Sequence, residues 1–161
     1  MADFDMKGSD TKGSDTKGAG IPVYGTGDAS FLAAGGEAGI LKLVEAFYQA
    51  MEEEPRARVI RAMHPDDLTV SIDKLARFLC GWTGGPKRYA EKYGGIAIPP
   101  AHAHLPIGEA EKDAWLLCMH KALQQQNYAA SFKDYLLKQL AVPASRIVML
   151  QVNRGRTVLG H

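Results

Sequence analysis

Six side chains, Ile40, Leu43, Val44, Phe47, Tyr48 and Met51, recur at the three- and four-residue intervals that place them on one face of an α-helix. A chain carrying such a stripe must bury it, and the partners on offer are helical too. No run alternates convincingly with period two; the open case is Ile147 to Val152. The first helix is predicted from Gly36 to near Glu54, where Pro55 stops it. A short helical segment at 56–63 and a His64-Pro65-Asp66-Asp67 turn follow. Asp66, Asp67 or Thr69 can then cap a helix that turns Ile72, Leu75, Phe78, Leu79 and Trp82 inward.

Gly84-Gly85-Pro86 ends that helix, and the glycine- and proline-rich stretch up to Pro100 reads as loop with a short helix near Tyr89. Another long helix begins after Ile107 and buries Trp115, Cys118, Met119, Ala122 and Leu123. A last amphipathic segment uses Phe132, Tyr135, Leu136 and Leu140. Beyond it, Pro143 to Arg146 can start a further helical turn, and Asn153 to Arg156 reads as a turn with a basic terminus. The expected architecture is all-α with about four main helices.

At 161 residues the chain has room for one domain with a substantial core. Its 19 basic and 18 acidic side chains leave a net charge of +1, which argues against nucleic acid and anionic membranes as partners. No apolar run approaches the roughly 20 residues of a membrane span, and the N-terminus lacks the basic-then-apolar layout of a secretory signal. A cytoplasmic protein is expected. Cys80 and Cys118 each lie inside an apolar helical pattern and read as core thiols, with a redox or disulfide role as the alternative. The pentapeptide Gly-Ser-Asp-Thr-Lys occurs twice in succession, at 8–12 and 13–17, in a stretch too polar to fold alone. Three regions follow: a flexible extension at 1–34, a helical domain at 35–140 and a C-terminal extension at 141–161, packed or frayed.

Chemistry concentrates in Ala101-His102-Ala103-His104-Leu105-Pro106-Ile107-Gly108 and the helix after it. A neutral imidazole held in a short segment against an apolar helix can ligate iron from one side, while the helix brings Trp115 over the pocket. Taken alone, His102 reads more readily as a structural or surface histidine than as a ligand. With His104 it could contribute to a zinc site, although no second ligand cluster completes four donors. Spacing alone makes Tyr48 and Trp115 ordinary core aromatics.

Phe47-Tyr48, Gly84-Gly85-Pro86, His102, Asp113-Ala114-Trp115-Leu116 and Cys118-Met119 together form an ordered set. In order and spacing it resembles the group II truncated hemoglobins, over roughly residues 35–140. The resemblance implies a two-over-two helical sandwich around haem, with a loop in place of most of the proximal helix. It implies haem b with His102 as iron ligand. Tyr48 and Trp115 would act as distal hydrogen-bond donors, with His64 at the pocket edge as a third polar group. Ser71 and Leu75 match distal positions, and the small Ser71 would leave a route open for ligand entry. Phe47, Phe78, Leu79 and Met119 would line the apolar pocket, and Lys74 and Tyr89 would meet the propionates; Trp82 would shield the haem edge.

The function implied is reversible binding of O2, with CO, nitric oxide or peroxide as other small ligands. It would serve O2 storage, delivery, sensing or nitric oxide detoxification. Catalytic turnover would need an external reductase, because the chain carries no flavin or nicotinamide fingerprint. A peroxidase-like enzyme and a haem-free interaction module are the competing classes, and a homo-oligomer is compatible with the family.

Overall fold

The computed structural model describes residues 23–96, 98–102 and 104–159, with the backbone alone at 99, 100 and 153–159. Every element in it is helical or a turn. In chain order the helices are α1 (Ala29–Ala33), α2 (Gly36–Glu53), α3 (Arg58–Ala62), α4 (Thr69–Trp82), α5 (Arg88–Tyr93), α6 (Ile98–Ala101), α7 (Glu109–Gln124) and α8 (Ala130–Leu159). A 3-10 turn, Pro55–Ala57, joins α2 to α3.

Helix α2 forms where the periodicity placed it, and all six stripe residues are buried. It packs on α4 and on α7, and α7 packs on α8, giving two helices over two. The core between the layers holds Ile40, Leu43, Phe47 and Met51 of α2 against Cys118, Met119 and Leu123 of α7 and Phe132 and Leu136 of α8. Asp67 accepts hydrogen bonds from the Thr69 amide (2.9 Å) and hydroxyl (2.7 Å), which settles which acid tends the start of α4. At α7 the Glu111 carboxylate accepts from the Gly108 amide at 2.8 Å, and acidic Glu109 and Glu111 sit in the first turn, where the helix dipole favours negative charge.

The glycines ending α4 have a steric purpose. Gly84 has φ +96°, and a Cβ there would lie 2.0 Å from the Gly27 carbonyl oxygen. A side chain would force apart the segment leading into α1 and the α4 terminus, which the Phe31 amide of α1 ties together by donating to the Thr83 carbonyl at 3.1 Å. Gly84→Ala is therefore expected to destabilise the fold by about 2 kcal/mol or more, read as a lower urea midpoint with unchanged slope. The same leading segment lays Tyr24 over Phe132 and Tyr135, with ring centroids 5.1 Å from each. Structure thus begins well before residue 35; the Gly-Ser-Asp-Thr-Lys repeat lies outside the described residues.

Three expectations need correction. Trp82 does not point inward: it is 36% exposed on the last turn of α4, where its ring stacks on Phe78. The stretch before His102 is less irregular than its composition suggests, since Ile98–Ala101 closes into a helical turn with its prolines in the first turn, where no amide hydrogen is required. Finally, α8 runs on through Pro143, so Ile147 to Val152 is helix and no turn forms at 153–156. Leu136 and Leu140 before the proline and Val148 after it are all buried on one face. That burial on both sides outweighs the one backbone bond the proline removes.

An ion cluster pins the α2–α3 corner to α7. The enclosed Glu54 carboxylate accepts from the Arg56 amide (2.9 Å) and guanidinium (3.0 Å) and from Lys121 Nζ (2.7 Å). The Arg56 and Lys121 bonds lower its pKa from the usual 4.5 to about 2. A depressed folded-state pKa means that stabilisation is present above about pH 4.5 and lost as pH falls toward 2. Glu54→Gln should therefore lower the melting temperature at neutral pH and narrow its gap to the parent protein as acid is added.

Candidate functional site

Helices α2 and α7 bring three of the expected residues into one aromatic chain, and the turn after the short α3 adds a fourth. Trp115 of α7 lies 4.9 Å from Phe47, centroid to centroid. Phe47 lies 5.0 Å edge-on from Tyr48, and Tyr48 lies 5.5 Å edge-on from His64. Such tilted contacts hold each ring in place without using its polar atom. The Tyr48 hydroxyl and the Trp115 indole N–H have no hydrogen-bond partner among the described residues. Tyr48 is nearly fully buried. An unpaired hydroxyl in such a place is costly unless a ligand completes it.

Burial also pushes the Tyr48 phenol up to about 12, so it keeps its proton at neutral pH and is a donor. His64 is different. Its Nδ1 is bonded to the Ile60 carbonyl at 2.8 Å, and burial, aided by the charges of Arg61 and His102, holds its pKa below the ordinary histidine value. The neutral ring therefore carries its proton on Nδ1 and leaves a lone pair on Nε2. As a neutral imidazole it donates from Nδ1 to the Ile60 carbonyl and leaves an acceptor at Nε2.

His102 follows the last turn of α6 and repeats the arrangement: Nδ1 meets the Ile98 carbonyl, four residues back, at 2.8 Å. That bond fixes the tautomer and turns Nε2 away from its own helix, as suits a ligating imidazole. Helix α6 rests on α8, and Gln151 Nε2 donates to the His102 carbonyl at 3.4 Å. His104 is exposed. Among the described residues no three His, Cys, Asp or Glu side chains gather as metal ligands, so neither histidine belongs to a cluster of protein ligands.

The other expected residues lie along α4 and α5. Ser71, Leu75 and Phe78 are half-buried, whereas Leu79, like Phe47 and Met119, is fully inside the core. Tyr89 stands edge-on to Phe78 at 6.4 Å and tilted against Tyr93 at 5.0 Å. The Lys74 ammonium is exposed and hangs 5.3 Å from the Tyr93 ring centroid. Tyr93 itself escaped the sequence reading. Its hydroxyl donates to Asp73 at 2.6 Å, and its four-residue spacing from Tyr89 on one helix was the available signal. The Ile60 and Ile98 carbonyls that orient the histidines had no such signal, because any residue type supplies a carbonyl.

Two pre-oriented imidazoles and two unpaired aromatic donors suit a planar iron macrocycle and a small polar ligand better than a reaction needing a nucleophile. Comparisons agree. Over 113 residues the chain is 30% identical to the group 2 truncated hemoglobin YjbI of Bacillus subtilis, covering 70% of this chain and 83% of that protein. The group II 2-on-2 hemoglobin of Agrobacterium tumefaciens superposes with a TM-score of 0.70 at 32% identity, over 80% of this chain and 96% of that one. The cold-adapted truncated hemoglobin of Pseudoalteromonas haloplanktis TAC125 gives 0.71 at 28% identity, over 74% and 96%. Residues 30–148 match the bacterial-like globin family, and the chain belongs to it as a haem-binding truncated hemoglobin of group II.

Proposed function

We propose that this protein binds O2 reversibly at a haem b whose iron is held by His102. Haem, when bound, supplies an iron centre that takes a diatomic ligand at an open coordination position. The observation that carries the reading is the pairing of a backbone-locked imidazole at His102 with unpaired donors at Tyr48 and Trp115. The Ile98 carbonyl orients His102 and makes it a stronger donor to a metal. On the other side, Tyr48 keeps its proton and can give a hydrogen bond to bound O2, which carries partial negative charge, and Trp115 can give a second. Phe47 holds both rings.

Along α4, Ser71 leaves room for entry beside Leu75, and Phe78 presents an apolar wall. Lys74, with Tyr89 and Tyr93 behind it, offers charge and hydrogen bonds to the propionates at the rim. A similar structure is described as an oxygen-avid haemoglobin from Bacillus subtilis; it matches at 29% identity with a TM-score of 0.68. Two aromatic donors on one ligand are a physical reason for the same avidity here. Nitric oxide dioxygenation would draw on the same pocket with electrons from an external reductase. Buried, unpaired Cys80 and Cys118 suit a reducing cytoplasm, and among the described residues no helix is long and apolar enough to cross a membrane.

The test is the absorption spectrum of protein expressed with ample haem, recorded ferric, reduced, and reduced under O2 and CO. A Soret band that moves with redox state and with each ligand supports the reading. A protein that stays colourless after haem addition overturns it in favour of a haem-free interaction module.

A further inference from the structure

Helices α4 and α5 concentrate charge of one sign. Residues 74–92 carry Lys74, Arg77, Lys87, Arg88 and Lys92 against the single acid Glu91, although the whole chain is only +1. Carboxylates tie three of these cations in place. Asp73 accepts from Arg77 at 2.9 Å and from Lys92 at 2.8 Å, and Arg88 donates to Glu37 at 3.0 Å and to Glu91 at 3.1 Å. Lys74 and Lys87 are exposed and have no carboxylate partner among the described residues. A row of aromatic rings runs through the same two helices. Exposed Trp82 stacks on Phe78 at 6.5 Å, Phe78 meets Tyr89 edge-on at 6.4 Å, and Tyr89 leans on Tyr93 at 5.0 Å. The ammonium groups of Lys74 and Lys92 each stand 5.3 Å from the Tyr93 ring centroid. We infer that this α4–α5 face docks an acidic protein that delivers single electrons to the haem iron.

This rests on the haem reading above. Iron oxidised in turnover must be reduced again, and the chain carries no flavin or nicotinamide fingerprint, so the reductant is a separate molecule. Charge complementarity fixes its kind: a face rich in lysine and arginine steers an acidic partner toward it and repels a second copy of itself. Trp82 supplies the aromatic anchor on which such contacts depend, within a rim of cations that Asp73, Glu37 and Glu91 hold in fixed directions. The position also suits electron delivery. Trp82 rests on Phe78, the apolar wall of the proposed pocket, so a carrier seated on Trp82 is one aromatic ring from that pocket. One electron passes from the reduced cofactor of the carrier to ferric iron. The carrier is oxidised by one electron, the iron is reduced by one, and no covalent bond is made or broken.

The haem-loaded ferric full chain would be mixed under CO with reduced flavodoxin, an acidic one-electron carrier, and the second-order rate constant of haem reduction followed by stopped flow against salt concentration. The parent rate is expected to fall at least about tenfold between about 20 and 500 mM salt. Lys87→Glu should slow the low-salt rate about three- to tenfold and flatten the salt dependence. Trp82→Ala should slow it about fivefold or more while keeping the salt slope, because it removes contact and no charge. Arg146→Glu makes the same change of charge on α8 and should alter the rate by less than about twofold. Reduction of every variant by dithionite should stay within about twofold of the parent, which separates docking from damage to the haem site. A carrier rate that ignores salt, or that Arg146→Glu slows as much as Lys87→Glu does, overturns the inference. So does Lys87-dependent sedimentation with phosphatidylserine vesicles in place of salt-sensitive reduction, which assigns the face to a membrane. If Lys87→Glu fails to fold, Lys92→Gln and the salt dependence of the parent decide. Failure to load haem, visible in the Soret band before any carrier is added, sinks the haem reading itself and this inference with it.

Discussion

Replacing His102 with alanine is expected to strip the protein of stably held haem while leaving its helical content nearly intact. The imidazole is the proximal bond in the proposed site, and its loss removes a direct ligand. Losing a mere outer partner of a metal ligand already costs about 10- to 100-fold in metal affinity, so the effect should exceed roughly 100-fold. The fold should survive because the core lies elsewhere. Phe47, Met119, Leu123 and Phe132 are fully buried between α2, α7 and α8, whereas His102 sits on a short helical turn against α8. The measurement is haem transfer to an apo-globin acceptor, together with far-ultraviolet circular dichroism. Free imidazole added to the variant should restore a nitrogen-ligated spectrum, because the hollow left by the side chain admits it. Ferric and ferrous spectra unchanged from the parent would remove His102 as the ligand, and a matching loss in His104→Ala would move the assignment to that exposed neighbour.

The second large effect is expected on O2 release. Tyr48→Phe deletes a single hydroxyl from a ring that Phe47 and His64 hold in place, so packing is conserved and a hydrogen bond to bound O2 is lost. A bond from a neutral donor to a partly charged acceptor in a dry pocket is worth about 1.5 to 3 kcal/mol, and each 1.4 kcal/mol is about tenfold in a rate or an affinity. The O2 dissociation rate should thus rise by about one to two orders of magnitude. Trp115→Phe should act in the same direction, and the double variant should show less than the product of the two, since both donors serve one small ligand. Stopped-flow displacement of O2 by CO reads these rates. CO carries little charge, so its own dissociation should change much less. An unchanged O2 off-rate in both single variants would reduce the two rings to packing.

Much of the helical frame was legible from local pattern. The α2 stripe, the α4 stop at Gly84-Gly85-Pro86 and the start of α7 after Ile107 depend on periodicity and on residues that break helices, and each is local. The tail was not legible. Pro143 and Gly155 are breakers by local rule, yet α8 passes both, since Leu136, Leu140 and Val148 have somewhere to be buried. Trp82 erred the other way: its spacing places it on the inner face of α4, yet it is exposed while its neighbour Thr83 is buried.

The sequence by itself determined the all-helical frame, because helical periodicity is local, while its resemblance to the group II truncated hemoglobins identified the family and nominated the aromatic and histidine side chains proposed to serve a haem. The tertiary structure decided which polar atoms of those side chains are free. Burial keeps the Tyr48 proton in place, and the carbonyls of Ile60 and Ile98 take the Nδ1 positions of His64 and His102. The atom left free on each histidine is therefore a lone pair. The physical reason is that a backbone carbonyl is common to every residue, so nothing in a string of side chains marks the one that will orient an imidazole.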